Sequence, residues 1–156
     1  MKTRMKMLAV AALAYAPLAM ARETPSYPKE KLAAFVVEKL DVTSLPFAYR
    51  PKKENGKKTL ADYGYTPQQI DEKQALLGAS DGLRTLSIKI LQDGATGIYA
   101  CVAQPGPDGG DRKVQSVVLL KRKDSSALLK GRQSSKEFTS CPVIGGGDSD
   151  FPTSSY

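Results

Sequence analysis

The sequence predicts an α+β fold in which one N-terminal helix packs on an antiparallel sheet of four to five strands. Three observations predict this fold class. Apolar residues recur at helical spacing within residues 29–40, apolar and polar residues alternate from Leu86 to Ile90, and two further strand-like segments follow. One amphipathic helix with a run of short strands is typical of an α+β domain. A small all-β barrel is the alternative interpretation.

The first predicted element is a helix over residues 29–40. Its apolar stripe is formed by Leu32, Ala33, Phe35, Val36, Val37 and Leu40. Pro28 suits the helix start, because the N–H groups of the first turn have no intrahelical acceptor and proline lacks this group. Pro46 prevents any continuation of the helix, because a proline ring clashes with the preceding turn.

Asn55-Gly56 predicts a tight hairpin turn, since both residues tolerate the positive φ of a type I′ turn. The arms would be residues 47–53 and 57–63, although Pro51 confines the first arm to a sheet edge or excludes it from the sheet. Residues 63–67 are interpreted as a break. Residues 68–79 fit either a short helix or a strand, and the turn residues that close this segment favour a strand at 72–78.

Residues 85–121 predict a three-stranded antiparallel meander. Its first strand shows the alternation described above, and the glycine-bearing loop 92–97 follows it. The second strand, residues 98–103, carries no charge on either face, which is typical of a central strand. The third strand covers residues 114–120. Beyond the meander, we expect one helical turn at residues 125–129.

Gly131 is expected to end that helical turn, and residues 136–141 predict a last strand. Cys101 and Cys141 are the two cysteines of the chain, and an even count in a small exported domain predicts a disulfide. Their spacing is far wider than the C-x-x-C of catalytic dithiols, so we interpret the pair as structural. The disulfide would tie the last strand to the middle one.

Residues 1–21 have the features of a cleaved signal peptide. Lys2, Arg4 and Lys6 precede an apolar run from Leu8 to Leu18, and Ala19-Met20-Ala21 supplies a cleavage pattern. This run is shorter than the roughly 20 residues of a spanning helix, which disfavours an uncleaved anchor. We therefore expect export to the periplasm or the medium, a polar leader at 22–28, one domain at 29–144 and a disordered Gly/Ser/Asp-rich tail at 145–156.

The charge balance disfavours a nucleic-acid partner. The chain carries 23 Lys and Arg against 16 Asp and Glu, a net charge of +7. Three of the basic residues lie in residues 1–21, which leaves 20 against 16, or +4. This mild balance lacks the concentrated basic footprint of a nucleic-acid-binding domain. Without a spanning segment in the mature chain, the expected partner is an unknown protein or an anionic component of the cell envelope.

The sequence contains no histidine, which removes the commonest general base and the usual catalytic metal ligand. Asp62, Asp71 and Glu72 are carboxylates available for glycoside hydrolysis, but their arrangement in sequence does not define a pair at a controlled separation. We find no metal-ligand cluster and no cofactor motif. We therefore expect a protein without metal or cofactor, and a carboxylate-dependent hydrolase is the least favoured function.

Two basic clusters are the candidate contacts for an anionic ligand. The loop cluster consists of Lys52, Lys53, Lys57 and Lys58, and the strand-end cluster consists of Lys121, Arg122 and Lys123. Charges at hairpin tips and strand ends also prevent edge-to-edge aggregation, so both clusters have a simpler interpretation as solvated charges. The first functional expectation is a small exported, non-enzymatic binding or inhibitory module. The second is an envelope accessory protein that contacts anionic lipid or glycan through these clusters.

Overall fold

The computed structural model describes residues 25–105, 113–142 and 144. Within them the chain forms one α-helix and seven strands. The elements are α1 (Leu32–Lys39), β1 (Leu40–Asp41), β2 (Tyr65–Ile70), β3 (Gln74–Ala79), β4 (Thr85–Gly94), β5 (Gly97–Pro105), β6 (Lys113–Lys121) and β7 (Leu129–Gln133), with a 3-10 helix at Val42–Ser44. The predicted signal peptide at 1–21 and the predicted tail at 145–156 lie outside the described residues.

The predicted fold class is wrong. The strands form a single seven-stranded mixed sheet in the order β1-β7-β6-β5-β4-β3-β2. Five of the six strand pairings are antiparallel, whereas β1 pairs with β7 in parallel. Of the described residues, 43% lie in strands and 10% in helices. The sheet curves into a half-barrel with one helix, which is closer to the all-β alternative than to a helix on four or five strands.

The helix is shorter than predicted because backbone conformation limits it at both ends. Lys31 has a positive φ of 52°, so the helix begins at Leu32 instead of residue 29. The Lys31 and Ala33 N–H groups donate to Glu72, at 3.2 Å to its carboxylate and 3.1 Å to its carbonyl. After Lys39 the chain extends directly into β1. The helix packs against β3 and β4 of the sheet.

The core lies on one face of the sheet, which we call the inner face. Strands β4, β5 and β6 direct Leu86, Ile88, Ile90, Ile98, Ala100, Val102, Val118 and Leu120 towards it. Leu32, Ala33 and Val36 of α1 complete this core together with residues from the segment after β1. The alternation of strand side chains therefore separates one large apolar cluster from the opposite, outer face.

The predicted meander is present as β4, β5 and β6, and the predicted strand at 72–78 is present as β3. The predicted hairpin at 47–63 is wrong, because neither arm is a strand. Gly56 does adopt a positive φ of 81°, but the turn joins two irregular segments. The predicted break at 63–67 is present only at residues 63–64, because β2 begins at Tyr65.

The predicted helical turn at 125–129 and the predicted strand at 136–141 are both wrong. The last strand of the sheet is β7 instead, and Gly131 lies inside it. A side chain at Gly131 would lie 2.7 Å from Leu45 Cδ2, so this glycine permits close packing and does not end a helix. The sequence around Gly131 resembles a turn, but its packing partner Leu45 is distant in sequence. Local pattern therefore predicted the wrong structure here.

Residues 134–142, which we call the strap, cross the outer face after β7. The predicted Cys101–Cys141 disulfide is present, with a sulfur–sulfur distance of 2.03 Å, and it joins the strap to β5. Cys101, Val117 and Cys141 form a small buried cluster beneath the strap. Ile144 then pairs with Gln115 of β6, so the chain rejoins the sheet after the strap.

Candidate functional site

An open groove of about 560 Å³ lies beside the segment that follows the 3-10 helix. We call it the Phe47 groove. It is lined by Thr43, Phe47, Arg50, Pro51, Lys52 and Lys53. These residues include three cations and no carboxylate, and they surround an aromatic ring.

Two buried neighbours direct Phe47 into solvent. Leu45 and Tyr49 are 1% and 3% exposed, whereas Phe47 between them is 83% exposed. Pro46 closes the turn, because its carbonyl accepts from the N–H groups of Tyr49 at 3.0 Å and Arg50 at 3.1 Å. The segment is thus anchored on both sides of a ring that packs against little of the protein.

The anchor at Tyr49 carries a buried hydroxyl. Neither this hydroxyl nor that of Ser116 makes a hydrogen bond of good geometry, although both are buried. Burial raises the pKa of Tyr49, and the nearby Ser116 hydroxyl lowers it by a smaller amount. We interpret the two hydroxyls as close neighbours without a full hydrogen bond. The apolar contacts of the Tyr49 ring hold the segment in place.

The cations of the Phe47 groove face solvent. The Arg50 guanidinium lies 5.8 Å from the centroid of the Phe47 ring, within cation–π range. Lys52 and Lys53 are exposed, and no ion pair involves them among the described residues. The groove therefore combines an exposed aromatic ring with positive charge that is not neutralised locally.

The loop cluster separates into two pairs. Lys57 Nζ lies 2.7 Å from Glu54 Oε2 and 5.7 Å from the Tyr63 ring centroid. The hydrogen bond and charge of Glu54 raise the pKa of Lys57, which keeps this amine charged but paired. Lys58 is exposed, and its backbone N–H donates to Asp62 Oδ2 at 2.9 Å. Only Lys52 and Lys53 of this cluster line the groove.

The strand-end cluster is also divided, because Arg122 is engaged within the protein. Its Nη1 donates to the Ser125 carbonyl at 2.7 Å, and its Nη2 donates to the Ser26 carbonyl. The guanidinium also lies 5.4 Å from the Tyr27 ring centroid and 5.0 Å from that of Phe35. Arg122 therefore fastens the leader and α1 to the sheet, while Lys121 and Lys123 are exposed.

The carboxylates considered for hydrolysis have separate local contacts. Asp62 accepts from the backbone N–H groups of Lys58 and Thr59, and these bonds lower its pKa. Asp71 accepts from Gln69 Nε2 at 3.2 Å, whereas Glu72 contacts the helix start. Within the part of the chain that the structure describes, no three His, Cys, Asp or Glu side chains converge to hold a metal ion.

The sequence analysis missed Phe47. The predicted strand at 47–53 assigned this residue to a hairpin arm, where half of the side chains would be buried. A usable signal is present, because Phe47 follows Pro46 and precedes three cations within six residues. Proline before an isolated aromatic residue favours a turn that exposes the ring, instead of a strand.

Comparison with known proteins gives no information on the function of this chain. Neither a protein-family model, nor a curated protein, nor a solved structure matches this chain. Among the residues in the described ranges, no helix combines the length and the apolar character that a bilayer span requires.

Proposed function

We propose that this protein is a small exported, non-enzymatic binding module that attaches reversibly to anionic membrane surfaces through the Phe47 groove. One observation carries the proposal: a ring that is 83% exposed lies among Arg50, Lys52 and Lys53 on an anchored segment. The role is that of an envelope accessory protein. It requires binding and no chemical turnover.

The exposed Phe47 ring and the neighbouring cations would contact different parts of a membrane surface. The ring would contact the boundary with the acyl chains, and the cations would contact the anionic headgroups. Phe is among the apolar residues that membrane-surface elements bury at the boundary between lipid headgroups and acyl chains. Burial of a Phe side chain contributes about 1.5–3 kcal/mol. Each Lys or Arg close to an anionic leaflet contributes about 1 kcal/mol. Phe47 with three cations therefore supports weak, reversible attachment that depends on lipid charge.

Export is part of the proposal and depends on the predicted cleavage after Ala21. The Cys101–Cys141 disulfide is compatible with an oxidising compartment outside the cytoplasm. In the periplasm or the medium, the accessible anionic surfaces are those of the envelope. The proposal therefore assigns the groove to lipid headgroups, and a protein ligand is an alternative outcome of the test.

Vesicle co-sedimentation of the mature protein tests this function. We expect binding to vesicles of phosphatidylglycerol and phosphatidylcholine, little binding to phosphatidylcholine alone, and weaker binding as salt is raised. Phe47→Ser should lower the affinity roughly 10- to 100-fold because the inserting ring is lost. The double variant Lys52→Gln/Lys53→Gln should lower it roughly 30-fold and reduce the salt dependence.

Matched controls distinguish insertion from general stickiness. Leu83 is 85% exposed but lies on a different turn, so Leu83→Ser should leave vesicle binding unchanged. Lys73→Gln removes an exposed charge outside the groove. Equal binding to neutral vesicles, or equal effects of Phe47→Ser and Leu83→Ser, would contradict the proposal. Capture of one stoichiometric protein through Phe47, without vesicle binding, would replace the lipid by a protein ligand.

A further inference from the structure

We infer that the outer face of the sheet carries a second binding site, which takes an acidic saccharide. The site is a groove of about 400 Å³ between the sheet and the strap. We call it the strap groove. It is lined by Tyr99, Leu119, Arg132, Gln133, Ser134, Ser135 and Lys136.

The strap fixes one wall of this groove. At its beginning, the Ser134 N–H donates to the Val117 carbonyl at 2.9 Å, and the Lys136 N–H donates to Ser134 Oγ at 3.1 Å. Towards its other end, the disulfide holds Cys141 against β5. The strap backbone that forms this wall is therefore attached at both ends.

Lys136 is held in place before any ligand arrives. Its Nζ donates to Gln92 Oε1 at 2.7 Å and lies 4.7 Å from the Tyr99 ring centroid and 5.1 Å from that of Phe138. The two rings contact each other, with centroids 5.6 Å apart. A side chain that is already ordered loses less entropy when a ligand binds. Gln92 is thus a positioning residue for Lys136.

The positive charge of this groove is not neutralised by nearby carboxylates. Among the described residues, neither Arg132 nor Lys136 forms an ion pair. The next row of the sheet adds Lys121 directly opposite Lys130. Like charges in facing positions destabilise a sheet. Lys121 and Lys130 repel each other, and no carboxylate pairs with Arg132 or Lys136 among the described residues. This arrangement favours an external anion as the partner.

Asp41 is the acidic group closest in sheet register, since it pairs with Lys130 across β1 and β7. Its carboxylate instead accepts from the Thr43 N–H at 3.1 Å and from Thr43 Oγ1 at 2.6 Å. Asp41 therefore caps the 3-10 helix and makes no ion pair with the strap groove.

The polar lining indicates the ligand class. Hydroxyl and amide groups of Ser134, Ser135 and Gln133 lie with the two cations, so the groove can bind hydroxyls as well as an acidic group. An Arg guanidinium binds a carboxylate or phosphate by two parallel hydrogen bonds, and Lys adds a point charge. A sugar that carries a carboxylate or a phosphate matches this set, whereas a lipid chain does not.

Calorimetric titration of the mature, oxidised protein with an oligouronate tests this inference. Neutral oligosaccharide of the same length and inorganic phosphate serve as comparison ligands, and a sugar phosphate distinguishes the two acidic groups. We expect the oligouronate or the sugar phosphate to bind more tightly than either comparison ligand. Arg132→Gln and Lys136→Gln should each weaken that binding roughly 10- to 100-fold, the range for a charge-assisted hydrogen bond.

Three variants make the result specific to the strap groove. Gln92→Ala should weaken binding while leaving net charge unchanged, because Lys136 loses its orienting acceptor. Lys89→Gln removes an exposed charge opposite Cys101 on the same outer face, and it should have no effect. Phe47→Ser should also have no effect, since the two grooves share no lining residue.

Each contrary result overturns the inference. Equal affinity for inorganic phosphate would indicate an anion site without saccharide recognition. Equal losses in Lys89→Gln and Arg132→Gln would indicate diffuse charge instead of a site. Absence of binding by both acidic sugars, in a protein whose vesicle binding still depends on Phe47, would remove this site and leave the proposed function intact.

Discussion

At the scale of single residues, Arg122 shows how a cation in a basic sequence can act within the protein. Its guanidinium hydrogen-bonds two carbonyls and contacts two aromatic rings, and its buried Nε has no hydrogen-bond partner among the described residues. The neighbouring Lys123 has no such contacts and is exposed. Sequence places both residues in one cluster, but only Lys123 remains available to an external anion.

We expect Arg122→Gln to destabilise the protein by about 1–3 kcal/mol, because it removes charge-assisted hydrogen bonds and two cation–π contacts. Denaturant unfolding measures the loss, and hydrogen exchange should increase first near Tyr27 and the start of α1. Lys123→Gln, the matched control, should change stability by less than about 0.5 kcal/mol. Equal stability of the two variants would contradict this role for Arg122.

For the candidate site, the sequence-based expectation holds for some residues of a cluster and not for others. Lys52 and Lys53 were predicted as ligand contacts, and the structure places them in the groove without testing that role. Lys57 belongs to the same sequence cluster but is paired with Glu54. Composition cannot separate these cases, because the difference depends on where a loop directs each side chain.

At the scale of elements, strands β4 to β6 could be predicted because alternating apolar residues report burial on one face. Strand β2 gives no such pattern, since only its first residue is buried. Strand β1 has two residues, and β7 contains Gly131 between charged neighbours. These three strands are defined by partners elsewhere in the chain, which local periodicity does not report.

The outer edge of β2 is protected by local chemistry. The Tyr65 N–H donates to the Leu60 carbonyl at 3.0 Å, and Pro67 has no N–H to offer. An irregularity between Pro67 and Gln69 further disturbs the register. Together these features leave few donors for an added strand, which explains how an open sheet edge avoids pairing with another chain.

The turn between β4 and β5 provides a matched pair of glycines. Gly97 has a φ of 139°, and a Cβ there would lie 2.7 Å from the Leu120 carbonyl oxygen, whereas a Cβ on Gly94 would meet no atom within 4 Å. We expect Gly97→Ala to destabilise the protein by about 1–3 kcal/mol through strain. Gly94→Ala should be near neutral. Thermal unfolding compares them, and equal melting temperatures would contradict the assignment.

At the scale of the whole molecule, pH dependence follows from three turn carboxylates and two buried phenols. Hydrogen bonds to the folded chain lower the pKa of Asp62, Asp81 and Asp124. Their stabilisation is therefore present above the unfolded pKa of about 4 and is lost as pH falls towards the lower folded values. Acid should destabilise the fold progressively below about pH 4.

Burial raises the pKa of Tyr49 and Tyr65, so the unfolded chain ionises first as pH rises above about 10. Stability should therefore be level between these limits and fall on both sides. Chemical denaturation across pH measures the profile. The triple variant Asp62→Asn/Asp81→Asn/Asp124→Asn should flatten the acid side of the profile, and an unaltered acid side would contradict the assignment.

The modest positive charge of the molecule is distributed unevenly by the fold. Arg122 and Lys57 are engaged in internal contacts, while the Phe47 groove and the strap groove each present cations without lining carboxylates. A net charge alone therefore underestimates the local potential at these two places. Association with anions should depend on salt more strongly than a charge of this size implies.

The parallel pairing of β1 with β7 also determines the order in which the molecule can be completed. Leu40 faces Leu129, so an early segment of the chain acquires its sheet partner only when one of the last strands is available. Closing the long loop between β1 and β7 is slow. The entropy cost of bringing residues that are distant in sequence together comes before the stabilisation that their contacts provide. Until β7 is in place, Leu45 lacks its close packing against Gly131, so we expect the segment that carries Phe47 to reach its final position late in folding.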